Sequence, residues 1–269
     1  MMPLKPARLL FTILTLSFAI YAQDAQSELN EQLWEAARKG DAVTVKALIE
    51  KGADVNAKFR YGATALSYAC DKGHTEVVNV LLENGAEVNV KDTFYQATPI
   101  SWAMQKGHVA IVAALLSKGA EGADQVLLSG ARRGNKEMVS VALAKGTPKP
   151  ETLTTALASA AMNNQDEIVE MLKKAGATPP PEVDAAILQS YVGKYKNEQG
   201  TEISIMLKDE KLFAVPTGQN PIALIAVDRT SFRPAEFDGI LVTLTIENEK
   251  VTGFNLRQGP GTTVFKRIE

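Results

Sequence analysis

The strongest constraint on the fold is a phrase of 33 or 34 residues that recurs through the first half of the chain. Two series of glycines mark it, each stepping by 33 and then 34 positions: Gly40, Gly73 and Gly107, and Gly52, Gly85 and Gly119. The residues between them are apolar at helical spacing, which predicts two short helices in each unit. One such unit cannot bury its apolar face alone, so neighbouring units must stack. The spacing therefore predicts an α-solenoid.

The number of units follows from the same phrase. Three clear units occupy residues 33–58, 62–91 and 97–122. Two degenerate units, residues 131–146 and 160–177, lack the residues that would form a hairpin between repeats. We therefore predict about five helix pairs, the last two joined by short connections and the final one capping the stack.

Two phrases in the clear units point to a known family. They are TALSYAC at residues 64–70 and TPISWAM at residues 98–104. Both resemble the T-P-L-H-x-A-A signature of the ankyrin repeat family, with Ser67 and Ser101 where that family has its structural histidine. The resemblance implies a stack of helix pairs that binds another protein through its hairpin tips and through the concave face of its inner helices.

The resemblance also implies which residues would contact that protein. The tips map onto Phe59, Arg60 and Tyr61, and onto Thr93, Phe94, Tyr95 and Gln96. The concave face maps onto Tyr68, Asp71, Lys72, Trp102, Gln105 and Lys106. Aromatic tips favour this interpretation independently, because turns are usually polar while Phe, Tyr and Arg are enriched at interfaces. The alternative is that Tyr68 and Trp102 pack against neighbouring repeats and that the tips pack on the C-terminal domain.

The pattern changes after Thr178. A stiff Pro179-Pro180-Pro181 break cannot continue a helix, and one short helix can follow it. Beyond it, period-two segments separated by turn residues predict about eight strands, which suit a small antiparallel barrel or a strongly curled sheet. The predicted organisation is a signal peptide at 1–22, a repeat domain at 24–178, a linker with a short helix at 179–187 and a β-domain at 188–269.

The β-domain has a resemblance of its own. The residues that carry it are Tyr191-Val-Gly-Lys-Tyr195, Lys211-Leu-Phe213, Phe232 and the turn at residues 248–254. They resemble the lipocalin-like domain of unassigned function that follows bacterial β-lactamase-like serine hydrolases. The hydrolase domain itself is replaced here by repeats. The resemblance implies a barrel whose inward apolar residues either line a cavity for a small apolar ligand or, as expected for so small a barrel, fill it: Ile203, Ile205, Leu207, Phe213 and Leu224.

The N-terminus has the pattern of an export signal. Lys5 and Arg8 precede the apolar run at residues 9–20, and Ala19 and Ala22 offer small-residue cleavage points. We expect cleavage, with no membrane span left afterwards; the alternative is an uncleaved anchor. Cys70 is the sole cysteine, so neither a lipid-modified cysteine after the run nor an internal disulfide is expected. These features suit a periplasmic or secreted bacterial protein.

Little in the sequence suggests catalysis. The net charge of -2 leaves no basic excess for nucleic acid. His74 and His108 follow the repeat glycines and are expected to be structural, Cys70 to be a core thiol, and Gly259-Pro-Gly261 to be a hairpin turn. We expect no catalytic, cofactor-binding or metal-binding residue. The sequence favours an exported, non-catalytic module that binds another protein, with an inhibitor or regulator of an envelope enzyme as a further alternative.

Overall fold

The computed structural model describes the backbone of residues 6–237 and 239–269, and the side chains from Gln23 onward within those ranges. The chain divides into two compact units, Met1–Gly122 and Ala123–Glu269, called here the first and second unit. The predicted export signal lies outside the residues whose side chains are described, so it stays a prediction. In the described part of the chain, no helix combines the length and apolarity that a membrane crossing requires.

The first unit is a stack of three helix pairs. Its helices are α1 (Pro6–Lys39), α2 (Ala42–Glu50), α3 (Ala65–Lys72), α4 (Thr75–Glu83), α5 (Pro99–Lys106) and α6 (Val109–Ser117). Helices α1, α3 and α5 form one layer, the inner helices, and α2, α4 and α6 form the other. Thr64 and Thr98 start α3 and α5 by accepting hydrogen bonds from the amides of Ser67 and Ser101. The serines that replace the family histidine thus belong to the helix caps.

Each joint between repeats is held by a histidine at one end. His74 Nε2 lies 3.1 Å from the carbonyl oxygen of Arg38, and His108 Nε2 lies 3.3 Å from that of Asp71. Each histidine begins the outer helix of its own repeat and reaches back to the inner helix of the previous one. The structural role expected for both histidines is confirmed.

An asparagine holds the other end of each joint. The Asn56 side chain donates to the carbonyl of Gly85 and accepts from the amide of Glu87, which belongs to the next repeat. Asn89 makes the same pair of bonds one repeat further on, to Gly119 and Glu121. Each asparagine side chain thus bonds one backbone acceptor and one backbone donor of the next repeat. Together with the histidine at the other end, it fixes the alignment of successive repeats.

The second unit begins with two more helix pairs. They are α7 (Ala123–Arg133) with α8 (Lys136–Lys145), and α9 (Pro150–Met162) with α10 (Asp166–Lys174). Short connections join them, as predicted for the degenerate repeats. Gln165 occupies the position that histidine has in the clear repeats, and its Nε2 donates to the carbonyl of Arg132. A short helix α11 (Ala185–Tyr191) then leads into the β-domain.

The β-domain is a closed antiparallel barrel, which confirms the predicted fold class. Its strands are β1 (Gly193–Lys196), β2 (Glu202–Lys208), β3 (Lys211–Pro216), β4 (Ile222–Ala226), β5 (Ser231–Pro234), β6 (Ile240–Glu247), β7 (Lys250–Gln258) and β8 (Gly261–Arg267). Each strand pairs with the next, and β1 closes the barrel on β8 through the Tyr195–Arg267 pair. The Gly259-Pro-Gly261 segment joins β7 to β8 as the expected hairpin turn.

Aromatic side chains fill the barrel interior. Tyr195 is fully buried and donates its hydroxyl to the carbonyl of Tyr191, 2.6 Å away. Phe254 stacks on Phe265 at 4.6 Å between ring centroids and packs against Tyr195. These rings occupy space that a ligand would need. This supports the interpretation that side chains fill the barrel interior.

The inward orientation predicted for five barrel residues was wrong for one of them. Ile203, Ile205 and Leu224 are buried in the barrel core and Leu207 packs against it. Phe213 instead lies on the outer surface of the barrel and packs in the cluster that includes Met162 of α9. Its strand neighbour, the buried Leu212, points inward, so alternation along the strand turns Phe213 outward. Phe213 is apolar because a helix covers that outer face.

Candidate functional site

The first tip is a single tight turn that presents Tyr61. A short 3₁₀ turn, Arg60–Gly62, links the first repeat to α3. The Phe59 amide donates to the carbonyl of Ala63 and closes the turn. Tyr61 has a left-handed backbone with φ of 60°, which is uncommon for a residue with a large side chain. The turn therefore holds this ring out into solvent.

The second tip is organised by Asp92, a residue that the sequence interpretation missed. Its carboxylate is buried and accepts hydrogen bonds from the amides of Phe94, Tyr95 and Ala97. Its own amide donates to the carbonyl of Ala97. Asp often begins a turn, because its side chain can bond backbone amides further along the chain. The position of Asp92 at the start of the loop was therefore a signal that could have identified it. Asp92 fixes the loop that carries the two aromatic residues.

The two tips contact each other and form a row of aromatic rings. The Thr93 amide donates to the carbonyl of Tyr61 at 2.7 Å. Ring centroids are 5.4 Å apart for Tyr61 and Phe94, 4.6 Å for Phe94 and Tyr95, and 5.6 Å for Tyr95 and Trp102. These spacings are those of favourable edge-to-face and tilted pairs. The row runs from the tips to the inner helix α5.

Between this row and helix α3 lies a cleft of about 290 Å³, which we call the aromatic cleft. Its lining brings together seven of the predicted contact residues with three others: Arg60, Tyr61, Tyr68, Asp71, Phe94, Tyr95 and Trp102, and Ala63, Ser67 and Asp92. Tyr61, Phe94 and Tyr95 are 64%, 63% and 68% exposed. The cleft is thus walled by large apolar rings that solvent reaches.

Other predicted contact residues lie apart from the cleft. Phe59 is half-buried and stacks on Trp34 at 5.5 Å between ring centroids, and Trp34 also meets Tyr68 edge-on at 5.3 Å. Sequence interpretation missed Trp34. Lys72, Gln105 and Lys106 are exposed on the inner helices but are not among the residues that line the cleft.

The inner helices carry two ion-pair clusters. Glu35 lies 2.8 Å from Arg38 and 3.3 Å from Lys39, and Asp71 lies 3.0 Å from Lys72 and 3.7 Å from Lys106. The hydrogen bond from Arg38 lowers the pKa of Glu35 to about 2, although partial desolvation opposes it. Both carboxylates are therefore already shared between two cations. Such exposed pairs contribute little to stability, but they set the charge that a partner would meet.

Two kinds of reactive group can be compared with the sequence expectations: the cysteine thiol and metal-ligating side chains. Cys70 is fully buried in α3, and burial raises the pKa of its thiol, so the thiol is a poor nucleophile. Among the residues described, no group of three His, Cys, Asp or Glu side chains is placed to hold a metal ion.

The second unit has a separate cleft of about 890 Å³ at one end of the barrel. One wall comes from α9 and α10, and another from the Pro179-Pro180-Pro181 segment. The barrel contributes Leu212, Leu224 and Phe232, three members of its own apolar core. Lys173, Glu182, Asp184, Glu210 and Lys211 supply charges of both signs. The cleft is therefore apolar in its depth and charged at its edges.

Comparison with known families supports the interpretation of the helical part. A family model described as ankyrin repeats (3 copies) matches residues 14–92 and again residues 33–126. This part of the chain carries ankyrin repeats. Among curated proteins, the ankyrin repeat domain-containing protein SAT10 of Stachybotrys chartarum is 45% identical over 47 residues, 18% of this chain. The chain matches only 2% of that relative's length. The lipocalin-like resemblance of the barrel stays a prediction.

Proposed function

We propose that the chain is an exported, non-catalytic module that binds another protein through the aromatic cleft and the adjoining inner helices. The observation that carries the proposal is the exposure of Tyr61, Phe94 and Tyr95 in one contiguous row. Large rings left in solvent are costly unless a partner covers them, and clustered aromatic residues are typical of binding hot spots. The ankyrin repeats support a protein as that partner.

The test removes the two rings of the second tip. We expect Phe94→Ala with Tyr95→Ala to weaken capture of the partner from the host envelope fraction, by roughly tenfold or more, as for loss of a hot-spot residue. Asp92 is retained, so the loop backbone should keep its conformation. Val43→Ala is the matched control, because Val43 is 81% exposed on the outer helix α2. Equal capture by the double variant, shown folded by circular dichroism, would remove the tips from the site.

The identity of the captured protein separates two forms of this proposal. An enzyme whose activity changes when the chain is added would make the chain an inhibitor or regulator. A protein without activity would make it a scaffold. Both forms use the same surface.

Export is part of the proposal and has its own test. The basic residues and apolar run of residues 1–22 support it. We expect the mature protein in the envelope or the medium, with its N-terminus near Gln23. An intact N-terminus on protein recovered with the cytosol would contradict export.

A second candidate function is the binding of a small apolar ligand by the second unit. The 890 Å³ cleft favours it, because this volume falls in the range of ligand sites and its depth is apolar. The sequence left a ligand cavity and a filled interior as alternatives for the barrel; because aromatic side chains lie in the interior, we propose this cleft as the site instead. Native mass spectrometry of the whole chain should then show a bound small molecule that Ala161→Trp displaces, since Ala161 lines the cleft. The control is Ala186→Trp, on the exposed face of α11. A bare mass for the unaltered chain would argue against this function.

A further inference from the structure

We infer that the partner presents an acidic peptide segment, in which an aromatic or aliphatic side chain enters the aromatic cleft and flanking carboxylates meet the inner helices. This inference rests on the proposed function and specifies the chemistry of the partner. It follows from the arrangement of charges on the inner helices, the residues at the rim of the cleft, and the size of the cleft.

A lysine occupies the same position in three successive repeats. Lys39, Lys72 and Lys106 each come directly before the glycine that ends an inner helix. Their side chains are between 50% and 64% exposed. Because the inner helices pack side by side, these equivalent positions lie on neighbouring helices, and Asp71 pairs with both Lys72 and Lys106. We call the three lysines the lysine row.

The carboxylates on this face are too few to neutralise it. Glu35 is shared by Arg38 and Lys39, and Asp71 is shared by Lys72 and Lys106. Each cluster therefore carries one net positive charge, whereas at the cleft the positive charge of Arg60 is balanced by the buried carboxylate of Asp92. The whole chain has a net charge of -2, so this face is opposite in sign to the molecule. Such a local field favours an anionic partner.

The cleft itself favours an uncharged side chain of the partner, called here the anchor. Its volume of about 290 Å³ lies at the lower limit of small-molecule sites and suits a side chain better than a larger body. A cationic side chain would be attracted by the aromatic faces. However, Arg60 also lines the cleft, and the two carboxylates of the cleft are already bonded: Asp71 to two lysines and Asp92 to three backbone amides. An apolar side chain of the partner would pack against the aromatic rings, and acidic residues on either side of it would pair with the lysine row.

The test is a selection from a phage-displayed library of random peptides about twelve residues long, with the whole chain as bait. We expect Asp and Glu to be enriched roughly twofold or more over the input library, on either side of an aromatic residue or leucine. The triple variant Lys39→Glu, Lys72→Glu, Lys106→Glu should lose that enrichment and select Lys and Arg instead. Synthetic copies of the selected peptides should bind more weakly as salt is raised, because exposed charges are screened.

The matched control changes three lysines outside this row by the same amount. Lys46→Glu, Lys51→Glu, Lys118→Glu alters net charge equally at exposed positions in or beside the outer helices. It should select the same acidic peptides as the unaltered chain. Loss of acidic enrichment in both triple variants would show a general effect of net charge and overturn the inference.

The remaining outcomes separate the inference from the proposed function. Peptides without acidic enrichment that still require Phe94 and Tyr95 would overturn the acidic partner and leave the protein-binding function in place. Peptides that bind the Phe94→Ala, Tyr95→Ala variant unchanged would contradict the aromatic cleft as the site. If the unaltered chain selects no peptide, the acidic peptide partner is contradicted, and capture from the envelope fraction still decides the proposed function.

Discussion

The glycine before the outer helix α4, Gly73, offers a sharp test of how the repeats are joined. Gly73 has φ of +79°, and a Cβ built on it would lie 2.6 Å from Cε1 of His108. Gly85 has nearly the same backbone, with φ of +83°, but no atom lies within 4 Å of its Cβ position. Substitution by alanine therefore imposes the same backbone strain at both sites and a collision at only one.

The effects of backbone strain and of the collision on the free energy of unfolding can be estimated separately. A left-handed backbone costs an alanine about 1–2 kcal/mol, so Gly85→Ala should lower the free energy of unfolding by about this amount. In Gly73→Ala the imidazole of His108 must also move, which breaks its contact with the Asp71 carbonyl. That contact should be worth about 0.5–1.5 kcal/mol more. We therefore expect the cost of Gly73→Ala to be about 1.5–3.5 kcal/mol.

The assay is urea unfolding followed by tryptophan fluorescence, because both tryptophans of the chain, Trp34 and Trp102, belong to the first unit. In a His108→Ala background the collision is absent, so Gly73→Ala should cost no more than Gly85→Ala. The two substitutions should then show a coupling of about 1 kcal/mol. Equal costs for the two glycine substitutions, or strict additivity with His108→Ala, would refute this account of the joint.

Two further predictions concern the second tip and the core thiol. Asp92→Ala should lower the free energy of unfolding by about 1–3 kcal/mol, and hydrogen exchange at the amides of Phe94 and Tyr95 should accelerate; unchanged exchange would show that the carboxylate does not hold the loop. Because burial raises the pKa of Cys70, a thiol reagent at mildly alkaline pH should label the folded chain far more slowly than the unfolded chain. Equal labelling rates would contradict the burial of this side chain.

The features that the sequence predicted best are those with local causes. The glycine spacing and the apolar residues at helical spacing between the glycines predicted the helix pairs, since a helix that ends in a left-handed residue favours glycine. The strands of the barrel were predictable because their turns have local signals. The hairpin between β6 and β7, for example, turns at Asn248 and Glu249, both with positive φ.

The features that the sequence did not predict depend on contacts between distant residues. Both Leu212 and Phe213 are apolar, so alternation could not say which one faces the interior until α9 was seen to cover the outer face. Trp34 lies in the first repeat unit, which has no phrase resembling the family signature, and only its contact with Phe59 shows that it supports the first tip. Asp92 is an exception, because its carboxylate accepts from amides only two to five residues away, and the sequence interpretation overlooked this local turn signal.

The paired histidine and asparagine bonds at each joint bear on how a partner would be bound. Bending the first unit would break one of the two, for example the His108 bond at one end or the Asn89 bonds at the other. A partner therefore meets a surface that is already organised, and association should cost the first unit little conformational entropy. Most of the ordering on binding would fall on the partner, so stiffening the partner segment should tighten the complex more than stiffening the repeats.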